Sequence, residues 1–149
     1  GFLVTLPYIV SMIGMVLLGL SSDRSGDRVW HVAGAAFAGA LGLLGAVLFA
    51  GPVLVMASFC VAAFGIYGAL AVFWTLPTAI LRGMAAAGGL ALLNSFSNLG
   101  GFFGPTLMGW LKQSTGTYTV GMSLLAMMLV FAGVSTVLIG RAFFPTAKS

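Results

Sequence analysis

From Val29 to Leu81 the chain reads VWHVAGAAFAGALGLLGAVLFAGPVLVMASFCVAAFGIYGALAVFWTLPTAIL, without one charged residue. A helix rises about 1.5 Å per residue, so about 20 apolar residues cross a hydrocarbon core about 30 Å thick. This stretch is too long for one crossing and suits two. Gly51-Pro52 divides it, because proline is tolerated in the first turn of a helix and not in its interior. Spans over 31–50 and 52–76 follow. Membrane strands would alternate strictly over about 10 residues. The stretch is instead continuously apolar and rich in Ala, Leu and Gly, which predicts helices.

Outward from this segment the pattern repeats. Residues 1–20 are apolar and lead into a polar turn, Ser21-Ser-Asp-Arg-Ser-Gly-Asp-Arg28. Leu76-Pro77-Thr-Ala-Ile-Leu-Arg82-Gly83 reads as a connector, 86–111 as a fourth span and Lys112-Gln-Ser-Thr-Gly-Thr117 as a second polar turn. A fifth span covers 118–140, and residues 141–149 form a short basic tail. The expected fold is all-α, a polytopic membrane protein with five transmembrane helices. Composition agrees. Of 149 residues 60% are apolar and 5% charged, with mean hydropathy +1.16, against about 25% charged in soluble domains. That excludes a soluble enzyme, and the abundance of large apolar groups excludes disorder.

The net charge of +4 is unevenly spread. Successive connections alternate sides, so Arg24, Arg28, Arg82, Arg141 and Lys148 fall on one side and Lys112 alone on the other. The positive-inside rule makes the richer side cytoplasmic, with the C-terminus inside. The pattern is a topology signal and not a nucleic-acid patch. The chain opens on Gly1-Phe-Leu-Val with no charged leader, so it is expected to start within a longer protein. Cys60, the single cysteine, is expected to be a small buried hydrophobe.

Small residues recur. Gly34, Ala38, Gly42 and Ala46 form a thin stripe, and Gly100 and Gly104 a GxxxG pair with Gly101 and Gly109 nearby. Such residues let helices approach closely in lipid; they serve plain packing, or helices that also rock against each other. Pro7, Pro77 and Pro105 permit bends, Gly104-Pro105 most of all. Catalysis is not expected. The spans hold no acid, and no nucleophile–base pair or metal cluster is present. No cofactor or metal is therefore expected, and His31 reads as an interfacial polar residue.

The first turn, Gly19-x-x-x-Asp23-Arg24-x-Gly26-Asp27-Arg28, is the most specific local signal. Gly26 permits a positive φ, and Asp23 sits at a helix end where it can accept from Arg. The turn is either a solvated, topology-setting loop or a functional motif. It resembles the cytoplasmic signature of the major facilitator superfamily, Gly-x-x-x-Asp-Arg/Lys-x-Gly followed by two basic residues. Asp27 replaces the first of those, as in the weaker copy between helices 8 and 9. Phe73-Trp74-x-Leu-Pro77-Thr78, Ala85-Ala-Ala-Gly88 and Asn94-Ser95-x-x-Asn98-Leu-Gly-Gly101-Phe-x-Gly104-Pro105 follow, then Gly109-Trp110 and Thr115-Gly116. In that order they resemble the anion:cation symporter family, closest to bacterial tartrate, phthalate or hexuronate-type transporters, over almost the whole chain.

The resemblance implies that the spans are helices 8–12 of a twelve-helix secondary transporter, with helix 7 and the N-terminal bundle absent. It implies alternating access for a small organic anion in the bacterial inner membrane, with proton symport. Asp23, Arg24 and Arg28, framed by Gly19 and Gly26, would form a cytoplasmic gate. The cavity would take Asn94 and Asn98, which share a helical face, and Tyr67, Trp74 and Thr75. The amides serve a polar cavity or interhelical hydrogen bonds; the aromatics line the cavity or anchor an interface. Gly100, Gly101, Gly104 and Pro105 would serve packing and a kink. No Asp, Glu, Lys or Arg lies in a span, so the coupling and anion-binding charges are expected in the missing half. The alternative is a non-catalytic structural or assembly subunit, marked by polar residues confined to helix interfaces.

Overall fold

A computed structural model describes residues 2–80 and 83–143; Gly1, Leu81, Arg82 and residues 144–149, Lys148 among them, lie outside the described residues. The described chain is helical: α1 Phe2–Ser25, α2 Arg28–Leu48, α3 Pro52–Phe73, α4 Thr75–Ile80, α5 Met84–Thr115 and α6 Thr119–Phe143. Turn chemistry sets the boundaries. After α1, Gly26 at φ +68° donates its N–H to the Ser22 carbonyl at 3.0 Å, a helix end that glycine favours. Asp27 then caps α2, accepting from the Trp30 N–H at 3.4 Å. Gly51 precedes Pro52, which sits at the start of α3 where its missing N–H costs nothing.

The expected connector at 76–83 is partly helical. α3 breaks at Trp74 and α4 resumes at Thr75. Pro77 explains both halves of this. It cannot donate to the Phe73 carbonyl and its ring collides with it, so α3 cannot run through. Placed in the first turn of α4, where N–H groups have no intrahelical partner, the same proline is harmless. The Thr75 hydroxyl donates to the Val72 carbonyl across the break at 2.7 Å, and the Thr78 hydroxyl to the Thr75 carbonyl at 3.0 Å.

The helices pack side by side in the order α1, α3, α2, α6, α5. Their contacts are made by small residues. Ala35, Gly39, Gly42 and Gly45 of α2 face Ser58, Ala62 and Gly65 of α3. Both rows advance in steps of three and four, the spacing that keeps residues on one helical face. The expected stripe is thereby corrected: Gly42 lies on the contact, while Gly34 is exposed with nothing within 4 Å of a Cβ built on it. A strict four-residue step drifts off the contact line of two such helices. On the other side of α2, Ala126, Gly133 and Gly140 of α6 recur at heptad spacing, with Gly133 against Phe37 and Gly140 against Val29. Gly68 of α3 meets Leu18, and Gly14 of α1 meets Phe64.

The largest side chains less than 2% exposed are Val72 and Ser22. Leucines, phenylalanines and methionines point outward along every long helix. A soluble domain would bury them; a chain in lipid need not, because tails are as apolar as leucine. Among the described residues four segments are long and apolar enough to cross a membrane: Thr5–Ser25, Arg28–Leu48, Pro52–Thr78 and Thr119–Gly140. The protein is a polytopic helical membrane protein. The expected span over 86–111 lies within α5, which has ample length at 32 residues but is not among the four. Asn94, Ser95, Ser97, Asn98 and its many glycines dilute its apolar content.

Candidate functional site

Polar chemistry collects in two places. The first is the α1–α2 turn. Arg28, the first residue of α2, lies 3.8 Å from the Asp23 carboxylate near the end of α1, with Asp23 67% and Arg28 37% exposed. Arg24 is exposed and has no ion-pair partner among the described residues. Of the motif residues, the structure brings Asp23 and Arg28 together across Gly26 and leaves Arg24 apart; nothing lies within 4 Å of a Cβ at Gly19 or Gly26.

His31 belongs to this site, which the sequence reading missed. Its Nδ1 is 2.7 Å from the Asp27 carbonyl and its Nε2 2.9 Å from the Ser21 hydroxyl. A carbonyl only accepts, so Nδ1 carries a hydrogen, and Nε2 shares a second hydrogen bond with the Ser21 hydroxyl. His31 therefore ties the end of α1 to the start of α2. Its position three residues beyond Arg28, on the first turn of α2, was the available signal.

The second place is α5. Asn94 and Asn98 are exposed on one face, close to the middle of the helix. The neighbouring hydroxyls are satisfied within the helix: Ser95 donates to Ala91 at 2.9 Å, Ser97 to Leu93 at 2.9 Å and Thr106 to Phe102 at 2.8 Å. Neither amide has a hydrogen-bond partner among the described residues. Gly100, Gly101 and Gly104 are equally open, with nothing within 4 Å of an added Cβ, and α5 continues as helix through Pro105. Beyond α4 and α6, α5 touches no other described helix.

Tyr67 is 37% exposed on α3. Trp74 stands at the α3–α4 break with its ring edge-on to Phe73, centroids 5.9 Å apart, and Thr75 is half-buried beside it. α3 and α5 make no direct contact, so the aromatics and the amides are not brought onto one surface by the described residues alone.

The two ends of the bundle differ in their number of cations among the described residues. Val29 against Gly140, and Ala40 and Leu43 clustered with Ala126, set α6 antiparallel to α2. The α6 terminus, where Arg141 follows Gly140, therefore lies beside the Asp23–Arg28 turn. Lys112 ends α5 at the opposite end, its Nζ donating to the Tyr118 hydroxyl at 2.7 Å and lying 4.2 Å from that ring's centroid.

Known proteins add a second line. Two proteins of Agrobacterium vitis named as tartrate transporters are each 38% identical to the chain, over 142 and 141 residues. Those matches cover 95% of this chain and 32% and 33% of theirs. A quinolone resistance transporter of Acinetobacter baumannii is 38% identical over 139 residues, 93% of this chain and 32% of its own. The chain thus spans about a third of the length of the curated relatives it matches. No family model matches it, and no solved structure does. These homologues are named as transporters and not as enzymes.

Proposed function

We propose that the chain is helices 8–12 of a major facilitator superfamily transporter of the anion:cation symporter type. On this reading it forms most of the C-terminal bundle, with α5 as the fifth span. It moves a small hydroxy- or dicarboxylate of the tartrate class across the bacterial inner membrane by alternating access, with proton symport. Arg24, Arg28 and Arg141 at one end, against Lys112 at the other, support a cytoplasmic turn and C-terminus.

The observation that carries the reading is the pair Asn94 and Asn98, without partners among the described residues, on a helix of membrane length. An amide facing lipid forfeits several hydrogen bonds at a cost of roughly 2–7 kcal/mol. It belongs against water or substrate, and the middle of a helix is where transporters bind their cargo. Relatives named for tartrate transport support the substrate class; one named for quinolone resistance keeps it broad. Tyr67, Trp74 and Thr75 would complete the wall once the remaining helices bring α3 and α5 onto one cavity. Gly100, Gly101 and Gly104 would receive those helices, and Pro105 would let α5 bend. Asp23 and Arg28 would act as a cytoplasmic latch. The charges for anion binding and proton coupling would come from the part of the protein outside this chain, since the charged residues of the described helices lie only at helix ends. An assembly subunit would have its amides partnered at helix contacts, which the open α5 face does not favour.

The test is uptake of radiolabelled tartrate by the full-length protein in proteoliposomes under an inward proton gradient. Asn94→Ala and Asn98→Ala should each raise KM about tenfold, the loss of one hydrogen bond to a charged ligand. Unchanged KM in both variants, or no tartrate uptake by the parent, would reject the assignment.

A further inference from the structure

α1 and α2 follow each other in the chain, yet α3 packs between them and takes most of the contact of each. The spacing of Asp23 and Arg28 is therefore set by the bonds of the turn and not by an extended α1–α2 face. The ion pair cannot supply that order itself. At 3.8 Å, with Asp23 67% and Arg28 37% exposed, it gains little against the entropy of two mobile side chains. Other bonds of the turn are local. Gly26 donates to Ser22 within the last turn of α1, the Asp27 carboxylate caps α2, and the Ser25 hydroxyl accepts from the Asp27 N–H at 3.3 Å.

His31 is different, because its ring joins one helix to the other. Nε2 lies 2.9 Å from the Ser21 hydroxyl of α1, and Nδ1 lies 2.7 Å from the carbonyl of Asp27, which precedes α2. The ring is half-buried, so both nitrogens hold their partners with less competition from water than the exposed ion pair has. His31 and Arg28 are three residues apart on α2 and share a face. A shift of α2 that took His31 off Ser21 would carry Arg28 off Asp23. Arg24 cannot substitute, since adjacent residues of a helix do not face each other. Which arginine Asp23 meets thus depends on where α2 is held.

We infer that His31 is a positioning residue of the cytoplasmic latch: with Ser21 it holds α2 against the end of α1 at the register that sets Arg28 on Asp23. The assignment rests on the reading of Asp23 and Arg28 as a latch. It adds that the latch owes its geometry to a neutral hydrogen-bonded bridge one helical turn deeper.

A double-mutant cycle in the full-length protein tests this. Tyr67→Cys, with every native cysteine replaced, reports opening through its rate of labelling by a membrane-impermeant maleimide from the cytoplasmic side. Asp23→Asn should raise that rate by up to about fivefold. His31→Ala and Ser21→Ala should each raise it about threefold. His31→Gln, whose amide can still donate or accept, should keep most of the parent's value. In the Asp23→Asn background His31→Ala should add nothing, because the pair it positions is already gone. A residue that merely stabilises the fold would act equally in both backgrounds. An equal rise there, or no rise from His31→Ala and Ser21→Ala with Asp23 intact, would overturn the role of His31 while leaving the latch standing. No effect of Asp23→Asn itself would overturn the latch, and the positioning role with it. Should His31→Ala not fold, Ser21→Ala carries the same cycle, since it removes one hydroxyl from an exposed position.

Discussion

Substituting Gly42→Ala probes the closest approach between α2 and α3. A Cβ at Gly42 would lie 2.7 Å from the Ala62 Cα and 2.8 Å from the Ser58 carbonyl oxygen, and closer still to the Ala62 nitrogen. All three are backbone atoms, so no side chain can turn aside. Carbon atoms rest about 3.5–4.0 Å apart, which requires α2 and α3 to separate by roughly 1 Å, and a gap of 0.5–1 Å forfeits about a quarter to a half of each contact's attraction. The expected destabilisation is about 1–3 kcal/mol. Equilibrium unfolding in mixed micelles, with helix content followed by circular dichroism, measures it. Gly34→Ala is the matched control: the same chemistry, one helix, and nothing within 4 Å, so its effect should stay within about 0.5 kcal/mol. If Gly42→Ala is as stable as the parent, or Gly34→Ala loses as much, the α2–α3 stripe is not Ala35, Gly39, Gly42 and Gly45, and the packing order fails with it.

Two further outcomes bear on the turn. Asp23→Asn removes the 3.8 Å pair with Arg28; a pair this exposed is worth about 0–1 kcal/mol, so the inward-open population should rise by no more than about fivefold. Cytoplasmic cysteine labelling reads this, and unchanged accessibility would argue against a latch. His31→Ala removes the bonds to Ser21 and Asp27 and should lower stability by about 1 kcal/mol. An unmoved unfolding midpoint would mean that the clamp contributes nothing in the membrane.

Much of the fold was legible because its signals are local. Gly51-Pro52 separates two helices by backbone chemistry alone, and Gly26 and Asp27 end one helix and start the next within two residues. Pro77 was legible as a disturbance but not as a helix start, since its effect depends on whether a helix has already begun. The small-residue stripe was visible as composition, yet its phase was wrong for Gly34 and Ala38. Spacing along one helix does not say which line faces a neighbour that wraps around it. His31 escaped notice because its role depends on Ser21, ten residues away on another helix.

The sequence by itself determined the membrane class and the helical secondary structure. Each of these follows from hydropathy, backbone geometry and the cost of moving charge through lipid, and needs no knowledge of neighbours. Only the tertiary structure decided that α2 lies between α3 and α6, that Asp23 chooses Arg28 over Arg24, and that Ser95, Ser97 and Thr106 of α5 turn inward on their own helix while Asn94 and Asn98 find no partner among the described residues. Those outcomes depend on distances between helices. Burying small residues sets such distances, and a one-dimensional pattern carries them only after the helices have met.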